Sequence, residues 1–291
     1  MNKKNLEDGK IENVVNRSEI GIVEACEHIL WGTSLLHKTT LLENIIWNEN
    51  QPENTINTHE SRPGRPNRLI FSDDKIKFPK DNEFNNESAR AKALHFFANH
   101  ELLAIEVMAK MILTLPSNME TLKIKKDIWK TLQDEQKHLL FYQTRLEELG
   151  YSLGEFPVND YFWKIFNNVH SYESYFATMA LTFESANLDF AAFYAKLFAK
   201  HGDFVSSDIM TKIFNDEIFH VQLGYNYLNN HKLEKNVWSF YVESLPWPIT
   251  PARAKGIQYQ EQHRKISGIS SEFIKELTQY KDNFEVTERK R

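Results

Sequence analysis

Cysteine, glycine and proline are scarce in this chain. Its 291 residues include a single cysteine, Cys26, together with ten glycines and nine prolines. One thiol excludes a disulfide framework, a thiolate zinc site, an iron–sulfur cluster and Cys-x-x-Cys redox chemistry. Any bound metal must therefore use histidine and carboxylate ligands. The low glycine and proline content argues against a turn-rich all-β protein and favours helices.

Long apolar runs and clustered positive charge are also lacking. No stretch of about 18 apolar residues occurs, and the polar segment Met1–Lys10 has no apolar signal-peptide core. We therefore expect a cytoplasmic chain that does not enter a membrane. The 35 Lys and Arg residues are scattered and are outnumbered by 40 Asp and Glu, so the charge balance does not favour a nucleic-acid partner.

Apolar and aromatic residues are plentiful, at 41% and 13% of the chain. Residues 18–49 have helical spacing, with Gly32 as the expected break between two helices. The Asn- and Pro-rich residues 50–86 predict an extended connector. The long helical patterns that follow are 87–115, 119–149, 171–201 and 204–230, and a closing helix is expected at 270–280.

These patterns predict an all-α protein in three parts. Residues 1–86 would form an N-terminal helical pair and the connector. Residues 87–231 would form a four-helix bundle, in which 156–170 is long enough to cross from one end to the other between the second and third helices. Residues 232–291 would form a C-terminal helical extension that packs on the bundle.

Each long helix carries one glutamate inside its apolar stripe. In the second helix the stripe runs through Leu132, Glu135 and Leu139, in steps of three and four residues that keep all three on one face. An unpaired ionised carboxylate in a protein interior costs several kcal/mol, and no stripe contains Lys or Arg. Two divalent cations would balance the four charges. The inward glutamates are Glu101, Glu135, Glu184 and Glu217.

Two of these glutamates begin Glu-x-x-His strings, in which His138 and His220 share the glutamate's face, one turn away. Chance supplies about one Glu-x-x-His in a chain of this composition, so a second copy is informative, and both copies are preceded by Asp. The spacing between glutamates also repeats, with 34 residues from Glu101 to Glu135 and 33 from Glu184 to Glu217. The pattern indicates two copies of one helical hairpin.

The order Glu, Glu-x-x-His, Glu, Glu-x-x-His resembles the ferritin-like di-iron carboxylate superfamily. The strings RAKALHFFANHELLAIE, PVNDYFW, FESANLDF and TPARAKGI are similar to the ferritin-like family catalogued as domain of unknown function 455, over about residues 20–277. The resemblance implies a ferritin-like bundle that binds two Fe ions, or Mn and Fe, and it implies no established substrate. The ligands it implies are Glu101, Glu135, His138, Glu184, Glu217 and His220.

Asp134 and Asp216 each precede a ligand glutamate, which turns them about 100° away from it. Similarity to the bacterial di-iron hydroxylases implies that Asp134 accepts a hydrogen bond from His220, and Asp216 from His138. Solvated surface aspartates are the alternative. Tyr142 follows His138 by one turn, in a position similar to the radical tyrosine of the ribonucleotide reductase small subunit, and a core aromatic is the alternative.

Three further polar residues lie near the stripes. Glu106 and Asp189 each follow an inward glutamate by five residues, which is about 140° around the helix, so neither can share the site. They are interpreted as interhelix partners or surface charges. Asn187, nearly one turn after Glu184, would contact a bound ligand, pack in the core or act as a cap.

The leading functional hypothesis is an O₂-activating oxidoreductase, a hydroxylase or oxidase acting on a small organic molecule. An external donor would supply electrons, because one cysteine cannot form a Cys₄ centre. The alternative is a ferroxidase or iron-storage protein without an organic substrate. The residues outside the bundle exceed what a ferritin cage subunit needs, and would cover the mouth of a site or form a homodimer surface. A third hypothesis is a metal that only stabilises the fold.

Overall fold

The computed structural model describes residues 15–16, 18–47, 62–74 and 77–282, and it is mostly helical, as the sequence predicts. Among these residues no helix is both long and apolar enough to cross a membrane. The predictions for Met1–Lys10, for residues 50–61 and 75–76 of the connector and for residues 283–291 lie outside the described residues.

The N-terminal part combines short helices with short strands. The predicted second helix is wrong beyond Thr39, because Leu41–Leu42 and Ile45–Ile46 form strands. The hydroxyls of Thr39 and Thr40 bond to carbonyls four residues earlier, at Leu35 and Leu36, and the backbone is extended from Thr40. The parallel pairs are β1–β3 and β2–β4. The elements are β1 (Val15–Asn16), β2 (Ile20–Gly21), α1 (Ile22–Trp31), α2 (Leu35–Thr39), β3 (Leu41–Leu42) and β4 (Ile45–Ile46).

The first long hairpin consists of α3 (Glu87–Thr114) and α4 (Met119–Glu148), within a residue of the predicted bounds. Asn86 and Asn118 cap the two helices, each accepting a backbone hydrogen bond in the first turn. Before α3, the described part of the connector is irregular apart from two short 3₁₀ turns.

The second long hairpin differs from its prediction in one respect. The helix expected at 171–201 is interrupted by a π-helical turn, Met179–Glu184. The segment predicted at 156–170 contains α5 (Tyr161–Phe166), and the hairpin consists of α6 (Tyr172–Thr178), the π turn, α7 (Ser185–Lys200) and α8 (Phe204–His231). The C-terminal helices are α9 (Val237–Ser244), α10 (Glu261–Ile266) and α11 (Ser271–Gln279), the last matching the closing helix predicted at 270–280.

The chain divides into two compact units, residues 1–164 and 165–291. Each unit contains one long hairpin and the extension next to it in sequence. In the first unit α1 and α2 pack against α3 and α4. In the second, α9 and α10 pack against the hairpin of α6 to α8, and α11 packs on α9 and α10. The predicted three-part division and the ferritin-like bundle stay predictions.

Candidate metal sites in the two helical hairpins

The first hairpin brings together Glu101 from α3 with Glu135 and His138 from α4. All three side chains are buried, with exposed fractions of 6%, 2% and 0%. Each offers one ligand atom, and these atoms lie within 4.8 Å of one another. His138 Nδ1 lies 3.1 Å from Glu135 Oε2. We call this set the first cluster.

The second hairpin repeats the arrangement with Glu184, Glu217 and His220. Glu184 ends the π turn, and the other two lie on α8. All three are buried, and each offers a ligand atom within 4.8 Å of the other two. His220 Nδ1 lies 3.4 Å from Glu217 Oε2. This second cluster therefore has the composition and helical spacing of the first.

The charge and dimensions of each cluster fit one divalent cation. Bonds of about 2.1 Å to nitrogen and oxygen donors hold neighbouring ligand atoms about 3 Å apart and opposite ones about 4 Å apart. The first cluster brings two buried carboxylates, those of Glu101 and Glu135, next to a single imidazole. Even a protonated imidazole would leave one negative charge in each cluster, whereas a divalent ion balances both carboxylates.

One carboxylate oxygen of the second cluster lacks a hydrogen-bond donor among the described residues. Glu217 Oε2 is buried and accepts no hydrogen bond from any residue in the described ranges. A buried carboxylate oxygen without a donor costs free energy and is uncommon in folded proteins. A cation bound between Glu217 and its neighbours would satisfy this oxygen.

Asn187 distinguishes the second cluster from the first. Its Nδ2 donates a hydrogen bond of 2.7 Å to Glu217 Oε1, which orients the carboxylate and leaves Oε2 toward His220. The corresponding position of the first hairpin, three residues after Glu101, is Ala104. Asn187 thus contacts a candidate ligand residue, and its contact with a bound ligand stays a prediction.

The residues predicted to lie beside the ligands, Asp134, Asp216 and Tyr142, are half-buried or buried. Asp134 and Asp216 are both half-buried, and Asp134 Oδ1 accepts a hydrogen bond of 2.8 Å from Lys137 Nζ. Their predicted bonds to His220 and His138 would join residues of different units, and they stay predictions. Tyr142 is 1% exposed and its ring lies 6.0 Å from that of Phe97, as for a core aromatic. Its redox role also stays a prediction.

Glu106 is the centre of an ion-pair network in the first unit. Its carboxylate receives Arg65 Nη2 at 2.6 Å and Lys38 Nζ at 3.3 Å, and both its own side chain and that of Lys38 are fully buried. Lys38 Nζ also donates to the carbonyls of Ile29 and Leu30 at the end of α1. The network ties the N-terminal extension to α3, one turn beyond Glu101.

Asp189 has the matching role in the second unit. Its carboxylate accepts hydrogen bonds from Gly256 N at 3.0 Å, Gln260 N at 3.1 Å and the guanidinium of Arg264. Arg264 is fully buried and also donates to the carbonyls of Ser185 and Ala254. The C-terminal extension is thereby tied to α7, five residues after Glu184. The sequence placed Glu106 and Asp189 outside the site but could not identify their arginine partners.

One family model and one curated relative match this chain. A family model described as "Protein of unknown function (DUF455)" matches residues 32–275, a span that contains both clusters. An uncharacterized protein of Haemophilus influenzae is 27% identical over 166 residues, which are 54% of this chain and 57% of that protein. The alignment thus spans less than two thirds of the relative's length. No solved structure matches the chain.

Proposed function

We propose that this chain, which belongs to the family of proteins of unknown function DUF455, is a ferritin-like di-metal protein that oxidises a small organic molecule with O₂. The observation that carries the proposal is the repetition of one buried cluster, two glutamates and a histidine, in two hairpins of the same chain. The ferritin-like bundle belongs to the proposal and rests on the order of the ligands along the sequence.

Charge supports two ions rather than one. Each cluster buries two carboxylates, and leaving ionised carboxylates uncompensated in the interior costs several kcal/mol each. One divalent ion per cluster balances this charge without a cationic side chain. Mixed carboxylate and imidazole ligands suit iron and manganese, and we propose iron first, with manganese as the second choice.

The chain's own residues would bind the ions and orient the ligand side chains. The four glutamates and two histidines would hold the ions, and Asn187 would hold the Glu217 carboxylate in one orientation. Bound iron would supply the redox chemistry with O₂. Burial of the ligands would keep bulk water from them, and electrons would come from an external donor, because Cys26 is the chain's single cysteine.

Metal analysis of protein purified without chelators is the direct test. We expect two Fe per chain, or one Mn and one Fe, and an optical spectrum that changes when O₂ is admitted to the Fe(II)-loaded protein. Zinc, or no metal, would exclude the redox proposal. If O₂ uptake instead continues in proportion to added Fe(II) well beyond two ions per chain, the protein is the ferroxidase or storage protein of the alternative hypothesis.

Asp134→Asn and Asp216→Asn are expected to weaken Fe(II) affinity by about 10- to 100-fold, the usual effect of losing a carboxylate that supports a ligand histidine. Asn retains a carbonyl acceptor but removes the negative charge that makes the imidazole more basic. Anaerobic Fe(II) titration of both variants provides the measurement. Wild-type affinity in both would make these residues surface aspartates.

Asn187→Ala is expected to weaken binding of one of the two ions by about 10-fold, because the Glu217 carboxylate loses the donor that orients it. The same titration measures it, with Asn215→Ala as the matched control, an exposed asparagine on α8. Equal affinity in Asn187→Ala and Asn215→Ala would assign Asn187 to packing alone.

A further inference from the structure

The π turn is the feature of the second unit that determines where Glu184 lies. It spans Met179–Glu184, so Glu184 is its last residue, and Ser185 N donates to the carbonyl of Ala180, five residues earlier. Within the turn, Thr182 Oγ1 donates a 2.8 Å hydrogen bond to the carbonyl of Ala177, which is also five residues earlier. π turns are rare and occur often at functional sites.

The Thr182 hydrogen bond is specific to this wider turn. In an α-helix a threonine hydroxyl bonds to the carbonyl three or four residues before it. Thr182 instead bonds to the carbonyl at the fifth position, which belongs to the π register. The hydroxyl therefore favours the π turn over the α-helical alternative.

Tyr241 of α9 holds the Thr182 hydroxyl from the other side. Its hydroxyl lies 2.8 Å from Thr182 Oγ1. Because the Thr182 hydrogen is directed to Ala177, Tyr241 is the donor in this contact. Burial raises the pKa of Tyr241, which keeps the phenol protonated as that role requires. The Tyr241 ring is fixed by Trp238 at 5.6 Å and Phe273 at 5.2 Å.

The π turn lies close to the backbone of α8 at Gly224. A Cβ on Gly224, which lies four residues after His220, would come within 2.2 Å of the Ala180 Cβ. Only glycine allows this approach, so the backbone of α8 lies directly against the π turn. The turn that ends at Glu184 and the helix that carries Glu217 and His220 are therefore packed closely together within the second unit.

We propose that Thr182 and Tyr241 are positioning residues, which hold the turn in the π register and so direct the Glu184 carboxylate toward Glu217 and His220. This inference rests on the proposed metal function. One helical residue corresponds to about 100° of rotation, so a return to the α register would turn the Glu184 carboxylate away from the second cluster. A segment of the C-terminal extension thereby contributes to a site to which it supplies no ligand.

Four variants test the role. Thr182→Val and Tyr241→Phe remove one hydroxyl each at nearly constant volume, and Thr182→Ser keeps the hydroxyl. Tyr225→Phe is the matched control, because Tyr225 packs on Phe273 in the same aromatic cluster at 5.9 Å, whereas the hydroxyl bonded to Thr182 is that of Tyr241. The probe is Co(II), titrated anaerobically into the full-length chain, since its visible spectrum reports ligand number and geometry.

We expect wild type to bind two Co(II) ions. In Thr182→Val and Tyr241→Phe one of the two should bind about 10-fold more weakly and with an altered visible spectrum, as when a group supporting a ligand is lost. Thr182→Ser should restore both, and Tyr225→Phe should match wild type. If both hydroxyl deletions titrate like wild type, or if Thr182→Ser behaves like Thr182→Val, the positioning role is wrong.

Hydrogen exchange of the metal-free protein separates this role from the metal proposal. We expect faster exchange in the peptide covering residues 177–186 in Thr182→Val and Tyr241→Phe, but not in Tyr225→Phe, because the register loses its side-chain bond. Unchanged exchange together with unchanged Co(II) affinity overturns the positioning role alone. A wild-type protein that binds no Co(II) overturns the metal proposal and this role together. If Thr182→Val does not fold, Tyr241→Phe carries the same test.

Discussion

Glu184→Ala is expected to lose at least one of the two bound metal ions and most of the thermal stabilisation that metal confers. A ligand present at 100 times its Kd stabilises the folded state by about 2.7 kcal/mol. For a chain of this size class that corresponds to a rise in Tm of about 5 to 10 °C, since 1 kcal/mol shifts Tm by about 2 to 4 °C. The variant should not show this rise. Elemental analysis and thermal melts with and without Fe(II) measure both effects.

The metal-free melts are the internal control. Removing one of two like-charged buried carboxylates relieves their mutual repulsion, so the Tm of the metal-free protein should fall less than that of the metal-loaded protein. Glu101→Ala should behave like Glu184→Ala, since it removes the corresponding glutamate of the first cluster. Glu120→Ala, at an exposed position in the first turn of α4, should keep wild-type metal content. If Glu184→Ala retains both ions and the full metal-dependent rise in Tm, Glu184 is not a ligand.

Asp189→Asn is expected to destabilise the protein by about 3 to 5 kcal/mol, the usual effect of leaving a buried charge without its partner. The side chain keeps its shape, but the Arg264 guanidinium, which is fully buried, loses its counter-charge. The hydrogen bonds from Gly256 N and Gln260 N also lose a charged acceptor. Urea unfolding should show a lower midpoint with an unchanged slope.

A double-mutant cycle with Arg264→Met isolates the pair. Removing both charges should cost clearly less than the sum of the single changes, because neither variant residue is then a buried unpaired ion. Glu106→Gln should show the same large effect in the first unit, where Arg65 and Lys38 would both lose their counter-charge. A loss below about 1 kcal/mol in Asp189→Asn would mean that the pair behaves like an exposed salt bridge.

The sequence predicted the helical class and the bounds of the long helices well. α3, α4 and α8 begin and end within a residue of their predicted limits, and Asn86, Asn118 and Asp203 cap their first turns. Local signals suffice here, because apolar spacing and capping act between residues a few positions apart. The same periodicity identified the inward residues, and all of those predicted as ligands are buried.

Other features depended on contacts that helical periodicity does not encode. In the third predicted helix, Phe176, Ala180, Glu184 and Leu188 recur every four residues, a spacing that an α-helix or a wider turn can present on one face. The π register there is favoured by the hydroxyl of Tyr241, 59 residues from Thr182. Likewise, the apolar spacing of Leu41–Leu42 and Ile45–Ile46 fits a helix. These residues form β3 and β4 instead, paired in parallel with β1 and β2 from earlier in the chain.

The ion pairs illustrate the same division. The sequence alone determined that Glu106 and Asp189 turn away from the inward glutamates, because that angle follows from five residues of helix. Only the tertiary structure decided that Arg65, 41 residues away, and Arg264, 75 residues away, neutralise them. Helical geometry fixes the direction of a side chain from its own position. What that side chain meets is set by segments that fold back from far along the chain, and the long-range packing that brings them there leaves no local pattern.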